Sequence, residues 1–183
     1  MLPRFDEKKS TQIAGMLLKL RNQDGRMSYM KLIKLMYLID RTALLRWGWS
    51  MTGDSYVSME HGQVLSTTYD LIKHHYLHRP YWRSFISERF GPSEVKLVKE
   101  PETGELSRAD KELIKEIFGQ FGHWDRWKLA AYTHDLPEYQ ETTSTSIPVG
   151  YADVLRAEGI SEERIADLLD ELSGLAQLER LAS

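Results

Sequence analysis

The sequence predicts a mainly α fold: one compact helical domain, residues 1–183, with a small β-hairpin-like insertion near 81–99. Three observations predict it. Apolar residues recur at spacings of three and four through several long stretches, above all residues 28–47, SYMKLIKLMYLIDRTALLRW. Helix start and stop signals bracket those stretches. Only residues 81–99 change texture, to rough alternation around a Gly91-Pro92 break. At 183 residues the chain can bury roughly two thirds of the surface its unfolded form exposes.

A first helix is expected over about residues 6–22, with Ile13, Leu17 and Leu20 inward, Met16 beside them and an Asp24-Gly25 turn closing it. In the central helix Met30, Ile33, Tyr37, Leu44 and Trp47 share a face that Leu32, Leu35, Met36 and Ile39 widen, which makes it a core helix. Ser28 suits its N-cap, Met27 and Leu32 a hydrophobic staple, and Gly48 a left-handed stop. Lys31 and Lys34 are expected to lay their stems along the edge of this face rather than read nucleic acid. A polar turn at Gly53-Asp54 leads to a short extended segment at Tyr56, Val57 and Met59. The next helix is expected from near Gln63, with Val64, Thr68, Leu71 and Ile72 inward and Tyr69 alongside, failing before Pro80.

In the insertion, YWRSFISERF and EVKLVKE read as two strands. Ser107 and Asp110 then form a capping-box-like start for a helix that buries Leu113, Ile117 and Phe121, with Ile114 and Phe118 alongside. Asp125 caps the following helix, which ends before Pro137. ETTSTSIP looks the most flexible stretch by composition, and Pro148 suits the first turn of a helix through Ala157. Ser161, Glu162 and Glu163 open a last helix with a stripe of Ile165, Leu168, Leu169, Leu172, Leu175, Leu178 and Leu181. The leucines at steps of three drift around that helix, so they either pack on their own domain or leave an apolar flank for another protein.

Cysteine is absent, which excludes disulfides, thiolate zinc sites and cysteine nucleophiles and agrees with a reducing cytoplasm. A net charge of −3 and a pI near 6.1 give no drive toward phosphate backbones, so no direct nucleic-acid partner is expected. No apolar run reaches the length of about twenty residues that a spanning helix needs, and MLPRFDEKK lacks an apolar leader core; a cytoplasmic protein away from membranes is expected. Serine nucleophile elbows, phosphate-cradling glycine loops and paired-carboxylate signatures are missing, so no catalytic residue, metal ligand or cofactor is assigned.

Two histidine sets invite chemistry. His74 and His78, four apart with His75 between, would face one metal ion from a helix, but no HExxH pattern accompanies them and Pro80 adjoins, which favours a solvated helix end. His134-Asp135 would orient an imidazole for acid-base work. Adjacent residues on a helix do not face each other, so capping or packing at the Pro137 stop is expected. Trp124 and Trp127 read as core fillers in preference to partner anchors.

Four pieces in order carry a family resemblance. KLIKLMYLIDR resembles the KLQKLLY-type helix of the Panacea domain family, the SocA-like antitoxins, and SMEHGQVLSTTYDLIK is similar to that family's GPV…Y motif. LSRADKELIKEIFGQFGHWDRWKLAAYTHDLPEY resembles its capped helix, glycine turn, second helix and TH…P.W ending, and an N-terminal helix precedes all three. The resemblance spans about residues 5–141, leaving 148–183 as C-terminal helices of the same domain. Gly62, Val64, Tyr69, Thr133, His134 and Pro137 match; Gln63 stands where the family has proline and Tyr139 where it has tryptophan.

The resemblance implies an antitoxin of bacteria, archaea or phages that neutralises a cognate protein toxin by direct binding, without enzymatic turnover. The toxin's identity does not carry over. Some members fuse a DNA-binding domain; none is expected here, since these 183 residues offer neither room nor a basic segment for one. Partner contacts are expected at Glu60, His61, Gly62, Gln63 and Tyr69, around His134, Asp135 and Tyr139, and on the last helix at Leu169 and Leu172. A homo-oligomer stays open. One alternative within the resemblance is an adaptor handing the toxin to an AAA+ protease; Leu181-Ala182-Ser183 is distantly similar to small apolar degradation tags, although an ordinary terminus is expected. The alternative from another class is a hydrolase using His134 or the His74/His78 pair.

Overall fold

Helix α2 (Tyr29–Trp47) is the spine of the structure, a computed structural model that describes residues 3–74, 80–143 and 145–182. Leu32, Ile33, Leu35, Met36, Tyr37, Leu38, Ile39, Ala43 and Leu44 are all buried. A helix apolar on so many sides has to be wrapped. Around it pack α1 (Glu7–Arg21), α5 (Arg108–Phe121), α6 (Arg126–His134) and α7 (Tyr151–Ala157), while α8 (Glu162–Ala182) packs on α7.

The boundaries follow local chemistry. Asp6 accepts from the Lys9 N–H at 2.9 Å to start α1. The Ser107–Asp110 capping box closes in both directions, at 3.1 and 3.0 Å. Asp125 accepts from the N–H groups of Trp127 and Lys128 at 2.8 and 3.0 Å. Gly48 ends α2 at φ +83°, its N–H donating to the Leu44 carbonyl. Ser28 holds the N-cap position but makes no capping bond, and its buried Oγ has no partner among the described residues.

The β structure is small and antiparallel. Strand β1 (Arg26–Ser28) pairs with β4 (Glu94–Lys96), Met27 opposite Val95. A second sheet has the order β3 (Gly62–Leu65), β2 (Tyr56–Met59), β5 (Ile147–Val149), with Val57 opposite both Val64 and Pro148. Pro148 therefore lies in an edge strand, where a missing N–H is harmless, and the helix expected from it begins at Tyr151 instead.

The insertion is hairpin-like in its later part: the Ser87 N–H donates to the Lys96 carbonyl at 2.9 Å, and Phe90 and Glu94 exchange backbone bonds at 2.9 and 3.1 Å. Its first arm starts as helix α4 (Pro80–Phe85) rather than a strand. Proline fits a first helical turn, and the turn it opens drives Trp82 fully into the core. The helix expected near Gln63 likewise starts later, as α3 (Ser66–His74), because residues 62–65 are taken by β3.

Lys31 and Lys34 differ from expectation. They are only 6 % and 2 % exposed, and their ammonium groups donate to the carbonyls of Gly122 and Gln63. With α2 covered on so many sides, the apolar stripe has no wet edge for a stem to follow.

Candidate functional site

The two-residue turn Glu60-His61, between β2 and β3, rests against the C-terminal half of α6. Gly62 makes that approach possible. Its φ is +89°, and a Cβ there would stand 2.4 Å from Thr133 Oγ1, 2.8 Å from the His134 nitrogen and 3.0 Å from the Ala130 carbonyl oxygen. Around the contact, Glu60, His61, Trp127, Ala130, Ala131, His134 and Asp135 line an open cleft of about 280 Å³. The His61 ring meets Trp127 edge-on at 5.9 Å. Tyr139 stacks on His134 at 4.1 Å and donates its hydroxyl to the Met59 carbonyl at 3.2 Å. Segments far apart in the chain thus close one surface.

His134 Nδ1 lies 3.6 Å from Asp135 Oδ1. The neighbours approach because Asp135 has left the helix as its C-cap. Among the described residues no group of three or more metal-binding side chains is present. His75 and His78 lie outside the described residues, and the metal pairing of His74 with His78 lies there with them.

Behind this surface runs a buried polar frame. Glu138 accepts from Arg41 Nε and Nη2 at 2.7 and 2.9 Å and from the Tyr37 hydroxyl at 2.7 Å; Arg41 also reaches Glu158. Burial opposes the Glu138 carboxylate, but the bonds from Arg41 and Tyr37 outweigh it and hold its pKa below the usual range. Asp40, fully buried, accepts from Ser50, Tyr56 and the Thr52 N–H at 2.6, 2.7 and 2.9 Å. Burial raises its pKa, against the pull of those bonds.

Residues 32–140 match the sequence model of the family described as Antitoxin SocA-like, Panacea domain, which is more than half of the chain. The chain belongs to that family. No curated protein and no solved structure matches it. The Panacea span contains most of α2, the β2–β3 turn, α5, α6 and the Tyr139 turn, so the whole of the cleft lies within it, while α7 and α8 lie beyond it. No helix among the described residues is long and apolar enough to cross a membrane.

Within the Panacea span, Glu60, His61, His134 and Asp135 are exposed and adjoin one another, with Tyr139 half-buried against them. Gly62 and Gln63 are buried: Gln63 accepts from the Ser58 hydroxyl at 2.9 Å and takes the Lys34 ammonium on its carbonyl at 2.7 Å, so both hold the turn from inside. Tyr69 is half-buried on the other side of the turn. On α8, Leu172 is buried and Leu169 half-buried, whereas Leu175, Leu178 and Leu181 face outward. Trp127, expected in the core, is 56 % exposed, and Trp124 is half-buried. The signal was the spacing of Leu129, Ala130 and Thr133, which sets the inward face of α6; Trp127 lies about 110° around the helix from the middle of that face and so falls outside it.

Lys34 sits in a strongly perturbing environment within the Panacea span. Burial lowers its pKa from 10.5 to about 7. Between those values the unfolded chain keeps a proton that the folded chain has lost, so stability rises with pH across that window and the contribution levels off below pH 7. Stability from urea unfolding is expected to rise with pH between roughly pH 8 and 9.5, with a slope that falls by about 1.4 kcal/mol per pH unit in Lys34→Met. An equal slope in the variant would show that another group titrates.

Proposed function

We propose that this Panacea protein is the antitoxin of a toxin–antitoxin pair and neutralises its cognate toxin by covering it, with no chemical step. The observation that supports this most is the convergence of the family's two motif segments on one exposed surface, the Glu60-His61 turn against the outer face of α6. An exposed tryptophan ringed by polar groups has the composition of a binding hot spot. A standard interface covers about 800 Å² per side, so the partner extends past the cleft onto neighbouring surface. Occlusion needs a rigid platform, which the frame of Arg41, Glu138 and Tyr37 behind the site supplies.

Co-expression with the product of the adjacent reading frame tests the reading. The neighbour is expected to arrest growth alone, to be harmless together with this chain, and to co-purify with it. Trp127→Ala is expected to weaken that complex by about 2 kcal/mol, near 30-fold, while leaving the unfolding midpoint in place because the ring is half in solvent. A neighbour that is never toxic overturns the reading. Rescue in which the toxin disappears in a protease-dependent way replaces occlusion by delivery to an AAA+ protease.

A further inference from the structure

The Glu60-His61 turn has a second side. There, between α2, β3 and α3, lies a pocket of about 270 Å³, walled by Met30, Ile33, Val64 and Tyr69. Lys34 lines it too, 2 % exposed, its ammonium bonded to a single acceptor among the described residues, the Gln63 carbonyl at 2.7 Å. An ammonium carries three donors, and no carboxylate of the described residues pairs with this one. Lys73 lines the same pocket and stands 5.6 Å over the Tyr69 ring; Arg89 stands 5.4 Å over the ring of Tyr29, another lining residue. On a chain of net charge −3 this is a local concentration of cations around an apolar hollow, with Glu60 the sole carboxylate among the described residues that line it.

We propose that this pocket receives one anchor side chain of the toxin, an aromatic or long aliphatic residue with a carboxylate beside it, the carboxylate meeting Lys34 and Lys73. The proposal rests on the antitoxin reading. Three features select that occupant. The volume lies just under the range of small-molecule sites, about 300–1,000 Å³, and suits a single large side chain. The apolar walls take its body, and an incoming carboxylate supplies the acceptor that the buried ammonium lacks. The pocket also shares Glu60 and His61 with the cleft beside Trp127, so a partner that straddles the turn engages both hollows at once.

Two measurements test it. In the first, which needs no toxin, the protein is titrated with 3-phenylpropionate and with its uncharged amide while amide resonances are followed. At pH 6, where Lys34 holds its proton, the carboxylate is expected to shift Ile33, Val64 and Tyr69 at millimolar concentration and to bind at least fivefold tighter than the amide, a preference lost in Lys34→Met and in Lys73→Glu. In the second, affinity is measured for the product of the adjacent reading frame. Lys73→Glu is expected to weaken it at least tenfold, Lys115→Glu on the exposed face of α5 to leave it within twofold, and 3-phenylpropionate to compete. Lys73→Glu keeps the test decisive if Lys34→Met does not fold.

Equal binding of carboxylate and amide, or equal effects of the two charge reversals, overturns the pocket and leaves the antitoxin reading standing. Binding of the carboxylate without competition against the toxin makes the pocket a small-carboxylate site and overturns the anchor. If the wild-type chain binds no toxin, the antitoxin reading and the anchor fall together.

Discussion

Replacing Glu138 with alanine is expected to destabilise the fold by about 3–5 kcal/mol, read as a lower urea midpoint at unchanged slope. The Glu138 side chain is fully covered and takes three hydrogen bonds, two from Arg41 and one from Tyr37. Removing it strands a guanidinium that is itself only 10 % exposed, with Glu158 at the surface as its remaining acid. By contrast, the Arg108–Glu112 pair on α5 is open to water, and breaking it is expected to cost no more than about 0.5 kcal/mol. Replacing Arg41 and Glu138 together with Met and Leu is expected to recover most of the loss, because the large term is the uncompensated charge. The acid limb gives a second reading. Because the folded Glu138 pKa is depressed, its contribution is complete above its ordinary value of 4.5 and is lost as pH falls through the folded value; the loss of stability below about pH 4.5 is expected to be shallower in Glu138→Ala.

What was legible in the sequence was local. Asp6, Ser107 and Asp125 cap helices through bonds that span two or three residues, and Gly48 stops α2 by its own backbone angle, so the four helix ends could be read where they stand. What was not legible depends on distant partners. Strand β1 is three residues long and exists because Val95 pairs opposite Met27, so no periodicity announces it. Pro148 satisfies a first helical turn and an edge strand equally well, since both forgive the absent N–H, and pairing with Val57 decides between them. Aromatic-rich residues 81–85 have strand propensity, yet the burial of Trp82 as part of a helix outweighs it. At the site, the motif segments could be named in advance, but their meeting through Gly62, the outward turn of Trp127 and the burial of Lys34 are tertiary facts.

Gly62→Ala is the other substitution with a large expected effect, a loss of about 2–5 kcal/mol. A left-handed backbone at φ +89° costs an L-residue about 1–2 kcal/mol, and a new methyl in a filled contact costs about 1–3 kcal/mol more. Which atoms it meets determines what can relieve it. Thr133 Oγ1, at 2.4 Å, belongs to a side chain and can be removed; the His134 nitrogen and Ala130 carbonyl oxygen, at 2.8 and 3.0 Å, belong to the helix itself. Adding Thr133→Ala to Gly62→Ala is therefore expected to restore only part of the stability. The remaining strain can be released only by lifting the turn from α6, which would part Glu60 and His61 from Trp127 and His134. Affinity for the partner is then expected to fall further than stability does, measured well below the unfolding midpoint. Full recovery in the double variant would mean that the threonine hydroxyl alone blocked the methyl, and that backbone contact with α6 does not pin the turn.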